Sequence, residues 1–156
     1  MQIDRLDRKL LLALQKDGRL TNAELAEQIG LSASQCSRRR TQLEKSRIIT
    51  GYTAKVAPDK VGMDIVSLIS INLSKHDEDI AADFRRLLNE LPNVQDAFAL
   101  TGEMDYSIKV VSANLDELSD FINTILLKHP AVQNVRTTIA LEKIKSTTSV
   151  PIEIPK

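Results

Sequence analysis

The chain of 156 residues reads as an α+β protein in two parts: a helical unit built around a helix-turn-helix, then a βαββαβ sheet layer. Three observations predict this division. A glycine interrupts an otherwise helical pattern between residues 21 and 46. After residue 62 the pattern runs strand, helix, strand, and then repeats. The charge is also uneven. Residues 1–57 hold 11 Lys+Arg against 6 Asp+Glu, and residues 58–156 hold 10 against 15, so a formal net charge of zero conceals +5 and −5. A basic helical end joined to an acidic remainder is the electrostatic footprint of a nucleic-acid-binding domain attached to a domain with another task.

The opening helix covers residues 4–16, where Leu6, Leu10, Ala13 and Leu14 recur at helical spacing and Asp17-Gly18 ends the run. A short helix follows at residues 22–29, and Gly30 ends it by allowing a left-handed turn. Ser32 then caps a helix over residues 33–46, with Gln35 completing a capping box. Cys36, Arg40 and Leu43 form its inward stripe, with Arg40 burying its stem and bringing its charge out at the edge. Its other face carries Ser34, Gln35, Ser37, Arg38, Arg39, Thr41 and Gln42. Arginine and glutamine read guanine and adenine edges bidentately, and small hydroxyl residues allow close approach to phosphates. This helix is therefore expected to enter the major groove of double-stranded DNA. Leu25, Ala26, Ile29, Leu31, Leu43 and Ile48 complete the expected core of this unit.

Residues 50–62 read as a short strand and hinge, with extended residues at 51–56 and a break at Pro58. Strands are then expected at residues 65–74, 94–101, 106–111 and 132–144. Ile80, Phe84, Leu87, Leu88 and Leu91 mark one helix, and Leu115, Leu118, Ile122, Ile125 and Leu126 mark another. The halves echo each other: LPNVQ at 91–95 recurs as HPAVQ at 129–133, each closing a helix and entering a strand. A split βαβ pair of this kind gives a ferredoxin-like sandwich with both helices on one face of the sheet. The other face still carries apolar side chains, and a second copy related by two-fold symmetry is the simplest cover.

The rest of the composition narrows the function. Aromatic residues make up 3% of the chain, too few for binding by base stacking. The single cysteine, Cys36, excludes an intrachain disulfide and a cysteine metal site; His76 and His129 lack ligand-like spacing, one expected in a loop and the other at a helix end. No apolar run is long enough to span a membrane and no signal peptide opens the chain, so a cytoplasmic protein without membrane contact is expected. No phosphate-binding glycine motif, nucleophile elbow or paired His and carboxylate motif suggests an enzyme or a cofactor. The loop Thr101-Gly102-Glu103-Met104-Asp105-Tyr106 offers the best candidate ligand contacts: backbone N–H groups at Gly102 and a carboxylate, Asp105, for an ammonium group. An ordinary hairpin turn with a solvated Glu103 and Asp105 is the reading that the residues alone favour.

Taken together, LDRKLLLALQKDGR, ELAEQIGLSASQCSRRRTQLE, ITGYTA, TGEMDYSIKV and VRTTIALEKIKSTTSVPI occur in an order that resembles the Lrp/AsnC (feast/famine) transcription regulators over nearly the whole chain. The resemblance implies a DNA-binding domain at residues 1–49, a strand and hinge at 50–62, and a ferredoxin-like effector-binding and dimerisation domain at 63–156. It implies a homodimer assembling further into octamer-like rings, with an amino acid or related small metabolite bound between dimers. Carried over by position, the DNA-binding residues are Ser34, Gln35, Ser37, Arg38, Arg39 and Gln42. The effector-binding residues are Gly102, Glu103, Asp105 and Tyr106, with Arg136, Thr137, Thr138, Ile139 and Ala140 of the last strand. Two positions depart from the family pattern: Arg47 stands where glycine usually follows the recognition helix, and Arg40 where an apolar residue is common. The alternatives are a nucleoid-architectural DNA-binding protein with little effector response and a sirohaem-decarboxylase-like enzyme.

Overall fold

The computed structural model describes residues 2–74 and 78–155. They form two compact units: residues 2–55 with 145–155, and the described residues of 56–144. His76 lies outside the described residues.

The first unit contains helices α1 (Arg5–Lys16), α2 (Asn22–Ile29) and α3 (Ala33–Lys45). Each opens with a reciprocal capping box, formed by Asp4 with Asp7, Thr21 with Glu24, and Ser32 with Gln35. Such boxes satisfy amides that a helix start leaves unpaired. Gly30 ends α2 at φ 75°, the left-handed conformation expected of it. Leu10, Leu25, Cys36 and Leu43 are fully buried, with Leu14 and Ile29 nearly so. Burial pushes the Cys36 thiol pKa up.

The core of this unit differs from the expected one in two ways. Ile48 is 37% exposed, and its neighbour Ile49 packs against the core instead. The turn at Arg47 decides this: the amides of Ile48 and Ile49 both donate to Leu43 O, at 3.0 and 3.1 Å, which reverses the chain and sends the two side chains in different directions. Residues of the C-terminal tail also join the unit. The Gln15 amide donates to Val150 O at 3.0 Å and accepts from Val150 N at 2.5 Å. Arg8 donates to Glu153 O at 3.1 Å, and Ile152 packs on the helical core.

Residues 50–57 make no strand. Extended backbone needs a paired neighbour to become a strand, and no strand among the described residues pairs with them. Pro58–Val61 form a 3-10 turn, and Gly62 follows in a left-handed conformation.

The second unit carries β1 (Ile65–Leu73), α4 (Glu78–Glu90), β2 (Val94–Ala99), β3 (Tyr106–Ser112), α5 (Leu115–Asp120) and β4 (Val132–Ile139). The sheet order is β2-β3-β1-β4, and each neighbouring pair is antiparallel. This is the ferredoxin-like arrangement expected of the split βαβ pair. Ser67, Ile69, Ile71 and Leu73 alternate into the side packed by Phe84, Leu88, Leu118, Phe121 and Leu126. The opposite side leaves Leu68 and Phe98 49% and 60% exposed.

Three expected elements change, the least of them β2, which ends at Ala99 and not at residue 101. The second helix is not one regular α-helix, because α5 continues as a π-helical turn over Phe121–Leu126, closed by Leu127 N to Ile122 O at 2.9 Å. Phe121 and Leu126 at the two ends of this wider turn are both in the core, whereas Leu115 at the start of α5 is 58% exposed. β4 ends at Ile139, not Ile144. Its ladder stops at Ala140 N to Val66 O, because β1 begins at Ile65 and offers no further partner. Leu141 and Ile144 are accordingly 100% and 90% exposed.

Candidate nucleic-acid interface

Helix α3 has two clearly different faces. Cys36 and Leu43 are fully buried against α1 and α2. Arg40 lies along the same side with its side chain 22% exposed, its stem covered and its charge at the edge. There it donates to Leu20 O at 3.1 Å, to the Tyr52 hydroxyl at 2.8 Å and to Glu44 at 3.3 Å. Its guanidinium also sits 4.6 Å from the centre of the Tyr52 ring. Burial, followed by the hydrogen bond to Glu44, raises the Tyr52 pKa.

The outer face presents Ser34, Gln35, Arg38, Thr41 and Gln42 exposed, with Ser37 half-buried. Arg38 and Gln42 are one helical turn apart, and neither side chain makes a hydrogen bond or ion pair among the described residues, so both can reach base edges together. Gln35 is partly committed, since its Oε1 accepts from Ser32 N at 3.0 Å within the cap, which leaves its amide nitrogen to donate. The Ser34 hydroxyl lies 3.0 Å from that of Ser32.

Arg39 is placed differently from the rest of the expected set. Its Nη1 donates to Asp7 at 2.7 Å and to Asp4 at 2.8 Å, and its side chain is only 18% exposed. Asp7 is buried, and a buried carboxylate requires such a partner. Arg39 therefore ties α3 to the start of α1 instead of pointing out with Arg38. The Asp7 hydrogen bond raises the Arg39 pKa, and the backbone hydrogen bond from Asp7, assisted by Arg39, holds the Asp4 carboxyl below its ordinary range. Sequence reasoning missed this pair. The signal was present in the two aspartates three apart at a helix start, which cannot both stay solvated once the first turn packs.

In the second unit the expected effector residues separate into groups. Gly102 sits at the tip of the β2–β3 hairpin with φ 132°, a conformation that favours glycine, and Glu103 is exposed beside it. Asp105 is drawn into the structure. Its Oδ2 accepts from Leu73 N at 2.8 Å, and its own amide donates to Ile71 O and Asn72 Oδ1, both at 3.1 Å. The β1–β3 ladder ends at Ile71 and Tyr106, so the Leu73 amide has no β3 backbone partner, and the Asp105 carboxylate supplies the acceptor. Tyr106 is buried on the helix-covered side, with its ring 5.4 Å from Phe84 in an edge contact, so it is a core residue and not part of the loop surface.

β4 spreads its residues over two sides and along the sheet. Arg136 and Thr138 pair with Ser70 and Leu68, away from the helices, whereas Thr137 pairs with the buried Ile69. Ile139 and Ala140 lie four to five residues further from the hairpin end, about 14 Å along the strand. Within one chain the hairpin loop and the end of β4 therefore do not meet in one pocket. Among the described residues no group of His, Cys, Asp and Glu could hold a metal ion, and no helix is long and apolar enough to cross a membrane.

Comparison with known proteins adds to this geometry. Residues 3–44 match the AsnC-type helix-turn-helix domain, and residues 66–150 match the Lrp/AsnC ligand binding domain. The transcriptional regulator AzlB of Bacillus subtilis is 35% identical over 98% of both chains. The leucine-responsive regulatory protein of Escherichia coli is 30% identical over 97% of this chain and 92% of that one. Among solved structures, a transcriptional regulator of Neisseria meningitidis in complex with L-Met aligns with a TM-score of 0.92 and 37% identity, covering 96% and 97% of the two chains. AsnC of Escherichia coli aligns with a TM-score of 0.87 and 30% identity, covering 97% of this chain and all of that one.

Proposed function

The chain belongs to the Lrp/AsnC family of transcriptional regulators, and from that premise we propose that it reads specific sites in double-stranded DNA through α3 and responds to an amino acid or related small metabolite. Its relatives are regulators and not enzymes, and so is this chain.

One observation carries the DNA-reading assignment: α3 buries Cys36 and Leu43 while leaving Arg38 and Gln42 exposed and uncommitted on the opposite face. Phosphate contacts would hold the helix in register, and Arg38 with Gln35 or Gln42 would read bases. Binding is tested by fluorescence anisotropy at fixed salt, with DNA from the protein's own upstream region against a random duplex. A ratio well above tenfold, reduced in Arg38→Ala, is expected. Equal affinity for both duplexes would identify an architectural DNA-binding protein instead.

The effector reading rests on the ligand-binding family model and on the L-Met bound to the Neisseria relative. Because the hairpin and β4 residues do not converge within one chain, a ligand that uses both needs a second copy to bring them together. The half-exposed Leu68, Phe98 and Leu100 give that copy an apolar surface to cover, in a homodimer that assembles further, to an octamer, in the cytoplasm. An effector shifts such an assembly only by its difference in affinity for the two states. A thermal-shift screen against the amino acids, with particle size measured in parallel, tests this. A ligand that binds the folded assembly raises the midpoint, and a screen without any shift removes the amino-acid effector.

A further inference from the structure

The end of α3 contains a residue that its local geometry does not favour. Arg47 has φ 56°, and it is the only non-glycine residue with positive φ among the described residues. It occupies the left-handed position of a Schellman turn: its amide donates to Glu44 O and that of Ile48 to Leu43 O, each at 3.0 Å. Glycine is the usual residue there because any Cβ crowds the backbone in this conformation. The sequence thus holds a long cationic side chain where folding alone favours none.

No polar contact of the Arg47 side chain offsets this strain: it is exposed and has no hydrogen bond or ion pair among the described residues. It lines an open cavity of about 420 Å³ with Glu44, Ile49, Thr50 and Gly51. The amides of Thr50 and Gly51 have no partner among the described residues. The Glu44 carboxylate is already held by Arg40 and by the Tyr52 hydroxyl at 2.8 Å. The negative end of the α3 dipole is blunted as well, because Gln42, Leu43 and Glu44 each have their carbonyl capped by residues 46–49. A cation fixed at its root by two backbone hydrogen bonds, beside two free N–H groups, is a seat for one phosphate oxyanion.

We propose that Arg47, with the Thr50 and Gly51 amides, grips a DNA backbone phosphate just beyond the C-terminal end of the recognition helix. This rests on the DNA-binding reading above and deepens it. The contact fixes register and carries no base preference, so it acts on every sequence alike.

The test uses the full-length protein, a fluorescein-labelled random duplex of about 30 base pairs and the variants Arg47→Gly, Arg47→Asn and Arg47→Lys. Arg47→Gly is expected to raise the thermal midpoint by about 2–4 °C through relief of the left-handed strain. It is also expected to weaken binding, and to make the slope of log affinity against log salt shallower by about 0.9 for each Arg47 engaged. Arg47→Asn, which tolerates the same backbone without the charge, should bind as Arg47→Gly does, and Arg47→Lys should keep the parent slope. A salt slope unchanged in both neutral variants overturns the phosphate seat while leaving DNA binding by α3 intact. A parent protein that binds no duplex even at low salt overturns both.

Discussion

The outer face of α3 and the β2–β3 hairpin were the two stretches expected to carry chemistry, and the fold treats them differently. On α3 the helix, its Ser32 cap and the turn after it satisfy the backbone without calling on the outward side chains of Arg38 and Gln42. In the hairpin, the β1–β3 ladder stops at Ile71 and Tyr106, which leaves the Leu73 amide without a strand partner, and Asp105 is taken up to satisfy it. The difference teaches that a polar residue is available for a ligand only when the backbone around it makes no demand. The same division runs through Arg38, Arg39 and Arg40: the first points to solvent, the second pairs with Asp7, and the third closes the unit's edge through Leu20 O and Tyr52.

The strongest way to break this contrast is to remove an arginine that structure has claimed. Arg39→Ala leaves Asp7 buried without its cation and is expected to cost about 3–5 kcal/mol, the penalty for breaking a buried ion pair. Urea denaturation measures it, and a loss below about 0.5 kcal/mol, the surface value, would return Arg39 to the DNA-facing set. In the hairpin, Asp105→Ala should cost about 1–3 kcal/mol by orphaning the Leu73 amide, whereas Asp105→Asn keeps an acceptor and most of the stability. If Asp105→Asn keeps stability but loses the effector response, the carboxylate has a ligand role beyond its structural one.

Acid sharpens the picture of the α1 cap. Asp4 has a folded pKa below its ordinary 3.8, chiefly through the Asp7 amide and with help from Arg39. A depressed carboxyl stabilises fully above its unfolded pKa, and that contribution is lost as pH falls below about 4 through the folded value. Asp4→Asn should flatten the low-pH end of the stability profile, and an unchanged profile would remove Asp4 from the account. The smallest stability change belongs to Arg38→Ala, expected within about 0.5 kcal/mol of the parent in urea because nothing in the fold depends on it. In DNA binding the order reverses, with Arg38→Ala costing about 1–3 kcal/mol at a cognate site as a lost base contact.

Much of this protein was legible in its residues alone. Leu10, Leu14, Leu25 and Leu43 announce the helical unit through spacing, because a stripe at 3.6-residue period has to be buried. Gly30 and the Ser32–Gln35 box mark the turn through local hydrogen bonding, and the alternation in 106–111 separates the two sides of the sheet. All of these signals act between residues a few positions apart, within reach of a linear reading.

What tertiary structure decided depends on contacts between distant positions. Arg39 meets Asp7 across 32 residues, Asp105 meets Leu73 across 32, and Gln15 meets Val150 across 135. β4 ends at Ile139 because β1 has no more backbone to offer, a fact about β1 that β4's own residues do not contain. Sequence determines which segments have a face to bury and which side chains carry charge. Only the packed chain determines which charges and backbone groups are left unsatisfied, because desolvation is set by every neighbour at once.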